Sequence, residues 1–104
     1  MKKITITVIS LMMFVGCAGT QPKHNYKPPC GYVPDETTAI AIAVAAWNPI
    51  YGAEKIAKEK PYKAELKGNI WIVTGSLPEG YAGGVAVAEI SKSDGAIFRI
   101  SHGK

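Results

Sequence analysis

The sequence predicts an α+β fold in which one amphipathic helix packs on a four-stranded antiparallel meander. Two observations carry this prediction. Between residues 40 and 51, large apolar residues recur at spacings of four, three and four, which places them on one side of a helix. From residue 61 onward the period changes to two, in short runs separated by glycine-containing turns, as is typical of antiparallel strands. A helix followed by a meander covers one face of its sheet.

Residues 1–16 have the pattern of an export signal. The basic pair Lys2-Lys3 precedes an apolar run over residues 4–15, which is shorter than the about 20 residues that a membrane-spanning helix needs. The run ends in Gly16-Cys17, which resembles a bacterial lipoprotein processing site. We expect a diacylglyceryl thioether and an acylated amine, such as a palmitate, on Cys17. Ala18 after the cysteine favours the periplasmic face of the outer membrane. The alternative is an ordinary cleaved signal with an incidental cysteine.

Residues 17–33 are predicted to be the lipidated cysteine and a proline-rich tether. The segment from Ala18 to Pro34 holds four prolines and almost no aliphatic residue, and such composition favours extended conformations. With Cys17 modified, Cys30 is the remaining thiol, which is then either free or in an intermolecular bridge. No disulfide framework and no metal site are expected.

The domain is predicted to span residues 34–104. Asp35 is a good helix N-cap, and the apolar stripe consists of Ile40, Val44, Trp47 and Tyr51. Pro49 predicts a kink or break near Trp47-Asn48, followed by a shorter helix that ends before Pro61. Ile42 lies opposite the stripe, which makes it a candidate contact to another element or to a partner.

Four strands are predicted at Tyr62–Leu66, Ile70–Gly75, Val85–Ser91 and Ala96–Ser101. Alternation directs one set of side chains toward the helix; this set comprises Trp71, Val73, Ala86, Ala88, Ile90, Phe98 and Ile100. The opposite face then carries a second apolar set, which would mark an interaction surface if it is uncovered; this set comprises Ile70, Ile72, Val85, Val87 and Ile97.

The connection from Ser76 to Gly84 is longer than a hairpin requires and holds three glycines. No lysine follows Gly84 and no helix is predicted there, so the loop does not have the pattern of a phosphate-binding loop. It is either a wide turn with a packed tyrosine or a binding loop. In the second interpretation Tyr81 is an aromatic anchor and Glu79 a polar contact.

Composition and length exclude several functions. A domain of about 70 residues is too small for a dinucleotide-binding sheet or a barrel enzyme. Loss of Lys2 and Lys3 with the signal lowers the formal charge from +4 to +2, which is too small for nucleic-acid binding. No catalytic constellation and no paired carboxylates are evident, so we expect neither an enzyme nor a cofactor.

Several segments resemble a known family in order and spacing. They are Pro34–Thr37, Trp47–Gly52, Lys60–Leu66, Trp71–Gly75 with Leu77-Pro78, Gly83–Ala86, Ser93–Gly95 and His102–Lys104. Together they are similar to small immunity proteins with a nuclear-transport-factor-2-like fold, which occur beside polymorphic toxin genes. The resemblance covers roughly residues 33–104. At this length it implies a reduced, cystatin-like core and a non-catalytic protein that binds and neutralises a cognate toxin.

The sequence therefore predicts a membrane-anchored periplasmic immunity protein that occludes a toxin. A protein partner and a membrane, reached through Cys17, are expected. Two alternatives remain open at this point: an envelope lipoprotein that inhibits a lytic enzyme, and a passive structural lipoprotein of the envelope.

Overall fold

The computed structural model describes residues 24–78, 80 and 83–103. Helix α1 spans Glu36–Tyr51, and a short helix α2 spans Ala53–Ala57. Four strands follow, β1 Lys63–Lys67, β2 Ile70–Thr74, β3 Ala86–Ser91 and β4 Ile97–His102. They form one antiparallel sheet in the order β1-β2-β3-β4. The predicted α+β class, with a helix on a four-stranded meander, is confirmed.

Helix α1 begins and ends as its sequence dictates. The Asp35 side chain accepts a hydrogen bond from the Thr38 amide at 2.9 Å, so the predicted N-cap is confirmed. The helix continues through Pro49, and the break falls at Gly52, whose φ of 101° favours glycine. The break therefore lies several residues after the predicted position near Trp47-Asn48.

The buried side of α1 is centred on small residues. Ala39, Ala43 and Trp47 are fully buried, whereas the predicted stripe residues Ile40, Val44 and Tyr51 are half-buried at one flank of this line and pack against the core. Small alanine side chains at the centre allow close packing of the helix on the sheet, and Trp47 is the largest fully buried side chain of this line.

Substitution of Asp35 by asparagine should change stability in a pH-dependent way. Hydrogen bonds from the Thr38 side chain and amide hold the pKa of Asp35 below its ordinary value of 3.8. Because the folded-state pKa is depressed, the carboxylate stabilises the fold above about pH 4, and this contribution disappears as the pH falls through the folded pKa. An asparagine side chain would still cap the helix, but without this charge. Urea titrations should show wild type more stable than D35N at pH 7 and equal to it near pH 2. The same difference in free energy of unfolding at both pH values would contradict this prediction.

The sheet buries the predicted face against α1. Ala86, Ala88, Ile90 and Val73 are fully buried and Trp71 is 6% exposed. Cross-strand pairs join these residues in register, with Trp71 opposite Ile90 and Val73 opposite Ala88. The core is thus a layer of side chains between α1 and the sheet, to which Ile56 of α2 and Val33 also belong.

Phe98 corrects the prediction for β4. The pairing of β3 with β4 shifts between Glu89 and Ile90, so that Glu89 faces Arg99 whereas Ile90 faces Ile97. Phe98 is the extra residue of this β-bulge and is 58% exposed. The prediction that it points into the core was wrong, because strict alternation does not hold through a bulge.

The end of the predicted tether is part of the packed structure. The Tyr32 amide donates to the Ser93 carbonyl at 3.1 Å, and the Val33 amide donates to the Lys92 carbonyl at 3.0 Å. Val33 is 1% exposed, and its carbonyl accepts the indole N–H of Trp71 at 2.8 Å. The chain therefore joins the domain at Gly31–Val33, beside the β3–β4 turn.

Neither helix described here combines the length and the apolar character that crossing a bilayer requires.

Candidate binding surface

The second face of the sheet is free of helix in the part of the chain that the structure describes. Its apolar residues Ile70, Ile72, Val85 and Val87 are half-buried and lie outside the core cluster that α1 covers. Ile97, 44% exposed, was wrongly predicted on this face, because the bulge pairs it with the buried Ile90 on the helix side of the sheet. The other four residues of the predicted set are therefore present on this face without a helix over them, in the manner expected of an interaction surface. We call it the open face.

An open cleft of about 680 Å³ lies at one end of the open face. Apolar and polar residues both line it; they are Lys63, Ala64, Glu65, Ile72, Thr74, Gly75, Ser76, Leu77 and Val85. Leu77 is 41% exposed. The cleft lies where β2 ends and β3 is about to begin, so it adjoins both ends of the 76–85 loop. A concavity with both apolar and polar lining suits one protruding side chain of a protein partner.

Charges surround the apolar centre of the open face. In one cross-strand row, Glu65 lies opposite Ile72, which lies opposite Glu89, and Arg99 follows on β4. Among the described residues, neither of these glutamates forms an ion pair within 4 Å. Both carboxylates are therefore available to a partner.

Glu59 joins both ends of the 76–85 loop to the last strand. Its Oε1 accepts the Ala86 amide at 2.8 Å, and its backbone carbonyl accepts the Ser76 amide at 2.7 Å. Its Oε2 lies 2.7 Å from Nε2 of His102. Glu59 is 6% exposed, and a buried carboxylate persists only when it is paired and hydrogen-bonded in this way.

The His102 ring receives partners on both nitrogens. Nδ1 lies 3.0 Å from the Gly103 carbonyl oxygen. Nε2 lies 2.7 Å from Oε2 of Glu59, within hydrogen-bond distance. The ring also packs against Tyr51 of α1 in a tilted arrangement, with centroids 5.1 Å apart. The pair therefore connects the end of β4 with both helices.

Tyr62 lies beside the same carboxylate. Its hydroxyl donates to the Ile56 carbonyl at 2.8 Å, and its ring contacts Trp47 at a centroid distance of 5.8 Å. Burial, and then the nearby charge of Glu59, raise the pKa of Tyr62. The tyrosine therefore acts as a neutral hydrogen-bond donor here.

Glycines allow this close packing. A Cβ at Gly75 would overlap Oε1 of Glu59, and a Cβ at Gly84 would overlap the carbonyl carbon of Gly103. The second contact is with backbone, which cannot move aside as a side-chain tip can. Any larger residue at Gly75 or Gly84 would therefore displace Glu59 or the Gly103 backbone at the base of the loop.

The predicted site residues fall in different places. Ile42 is half-buried and packs against the core, which gives this side chain a structural role; its contact with a partner stays a prediction. Glu79 and Tyr81 lie outside the described residues, as does Cys17, and their predicted roles stay predictions. Cys30 is an exposed free thiol, and its carbonyl oxygen accepts a hydrogen bond from the Lys92 side chain.

Sequence reasoning missed Glu59 and the role of His102. The one local signal is that Glu59 follows the buried Ile56 by three residues, which places both on one side of a helical turn.

Within the described ranges, no three His, Cys, Asp or Glu side chains converge as metal ligands.

Comparison with known proteins defines the class. Residues 38–104, more than half of the chain, match the model described as "NTF2 fold immunity protein". The chain belongs to this family, and the resemblance predicted from its segments is confirmed.

Two curated proteins of Escherichia coli (strain K12) are similar to the chain. "Uncharacterized protein YhhH" is 29% identical over an alignment of 109 positions, which covers 93% of this chain and 86% of that protein. "Uncharacterized protein YbbC" is 37% identical over 73 residues, which cover 69% of this chain and 60% of that protein. No solved structure matches the chain significantly.

Proposed function

We propose that this protein is a membrane-anchored periplasmic immunity protein that binds a cognate toxin and neutralises it by occlusion. Membership of the immunity family carries the proposal. Inhibition of this kind needs a complementary surface and no chemistry, because a few well-packed anchors supply most of the binding free energy. The accessible open face, with its cleft and its available carboxylates, supports such a surface.

The direct test uses a toxin domain encoded beside this gene, produced in a sensitive host. Cells that also make the full-length protein should survive, and the two purified proteins should form a complex of fixed stoichiometry. Protection without a complex would favour an indirect effect. A complex with a lytic enzyme of the cell itself would favour the inhibitor alternative.

Leu77→Asp tests the open face as the contact surface. Leu77 is 41% exposed and lines the cleft, and Ile50, at 58% exposed on α1, is a matched control on another surface. A charge in place of this apolar contact residue should weaken toxin binding by about tenfold or more. Ile50→Asp should leave the affinity within about threefold of wild type. Calorimetry would measure both; equal losses, or a loss only for I50D, would place the contact elsewhere.

Cys17→Ser tests the anchor. Wild type should sediment with outer membranes and incorporate labelled palmitate, because two or more acyl chains give stable membrane attachment. The serine variant should incorporate no label and should leave the membrane fraction. Cys30→Ser is the matched control and should behave as wild type. Label retained in C17S, or a membrane fraction unaffected by it, would contradict lipidation at Cys17.

A further inference from the structure

The sheet has two free edges in the part of the chain that the structure describes, and they differ. β4 is interrupted by the bulge at Phe98, which breaks the regular spacing of its edge groups. β1 pairs with β2 without a shift over all five of its residues, Lys63–Lys67. Its outer edge is therefore the regular template for another strand.

The turn fixes which backbone groups of β1 face outward. Gly68-Asn69 is a two-residue turn closed by the pair Lys67 and Ile70. In such a turn the carbonyl of Lys67 accepts a hydrogen bond from the amide of Ile70. In an antiparallel ladder such pairing recurs at every second residue. The backbone groups of Lys63, Glu65 and Lys67 therefore point to β2, whereas those of Ala64 and Leu66 point to the free edge.

The side chains of β1 are complementary to a second copy of the same strand. On the open face they read Lys63, Glu65, Lys67, and all three are exposed. Lysine on an edge ordinarily discourages pairing. In an antiparallel pair centred on Ala64, however, each Lys63 lies opposite Glu65 of the second copy. This register contains two opposite-charge cross-strand pairs.

Competing registers are poorer. A pair centred on Glu65 places the two glutamates opposite each other and each Lys63 opposite a Lys67, and like charges directly opposite are destabilising. A pair centred on Leu66 also sets each Glu65 opposite a Lys67, but it places Ala64 and Lys63 opposite Gly68 and Asn69, where β1 has ended in the turn. The register centred on Ala64 also sets each Leu66, 41% exposed, opposite Tyr62 of the second copy.

We propose that two copies of this chain associate through β1 in antiparallel orientation about Ala64, which forms a continuous eight-stranded sheet. Lys63 and Glu65 also line the cleft proposed to bind the toxin, but dimerisation is a separate claim and is measured without the toxin.

The test is sedimentation equilibrium of the full-length protein in density-matched detergent, at several ratios of micelle to protein. Wild type should form a reversible dimer. Lys63→Glu or Glu65→Lys should weaken dimerisation by about tenfold or more, because each replaces two attractive pairs with two repulsive ones. The double swap K63E/E65K should restore the dimer to within about threefold.

Lys67→Glu is the matched control on the same strand and face. In the proposed register it lies beyond the opposite-charge pairs, so its dimer should equal that of wild type. A monomeric wild type at every concentration, a swap that fails to restore the dimer, or a loss confined to K67E would each overturn the proposal. Far-ultraviolet circular dichroism of every variant would exclude loss of folding, and no toxin is required, so this result and the immunity result stand or fall separately.

Discussion

Replacing Trp47 by alanine should lower the free energy of unfolding by about 3–5 kcal/mol. Trp47 is completely buried between α1 and the sheet, and it contacts Tyr62. Its indole N–H donates to the Val87 carbonyl at 3.2 Å, so the truncation both leaves a large cavity and removes this hydrogen bond. Because domains have a total stability of about 5–15 kcal/mol, this loss would be a large fraction of the free energy of unfolding.

Urea titration followed by Trp71 fluorescence would measure this loss, since Trp71 remains buried in the variant. Trp47→Phe separates the two contributions, because it keeps most of the volume and removes the hydrogen bond; we expect a loss of about 1–3 kcal/mol. Ile50→Ala, at an exposed position of the same helix, should stay within about 0.5 kcal/mol of wild type. Similar losses in the free energy of unfolding for W47A and I50A would show that Trp47 contributes no more to stability than an exposed residue.

Replacing Glu59 by alanine should destabilise the protein by a similar amount, about 3–5 kcal/mol, as is typical when one partner of a buried pair is removed. The substitution leaves the Ala86 amide without its acceptor and His102 without its partner. It also opens space beside Gly75. Because Glu59 holds both ends of the 76–85 loop, the amides of Ser76 and Ala86 should lose protection from hydrogen exchange before the rest of the sheet.

A double-mutant cycle isolates the pair itself. Glu59→Gln keeps an acceptor for Ala86 and should cost less than Glu59→Ala. The losses of unfolding free energy in E59A and H102A should not sum to the loss in the double variant E59A/H102A. The difference, which is the coupling free energy, should be about 0.5–3 kcal/mol. Additive losses, or unchanged exchange at Ser76 and Ala86, would mean that the carboxylate is a passive core residue.

The elements of the fold were predictable because their signals are local. The Asp35 cap, the apolar spacing of α1 and the Gly68-Asn69 turn each act within a few residues, and the structure places these elements where the sequence predicts them. Phe98 was assigned wrongly because a bulge depends on the register of two strands, which alternation in one strand does not specify.

Glu59 was not predictable for a related reason. It lies among lysines in Lys58–Lys60 and resembles an exposed helix residue. Its burial results from contacts with Gly75, Ala86 and His102, three positions far apart in the chain. A single sequence gives no sign that these segments meet. Val33 is similar, since its place in the core depends on a turn about 60 residues later.

Segment Gly31–Val33 packs at one end of the sheet, the entry pole, and the cleft lies at the opposite end, the cleft pole. The chain enters beside Lys92 and Ser93, whereas the cleft and the base of the 76–85 loop lie at the other end of the strands. The length of β3, six residues, separates these poles by about 20 Å. If Cys17 carries a lipid as proposed, the anchor joins the domain at the end of the sheet opposite the cleft, so the attachment itself would leave the cleft uncovered.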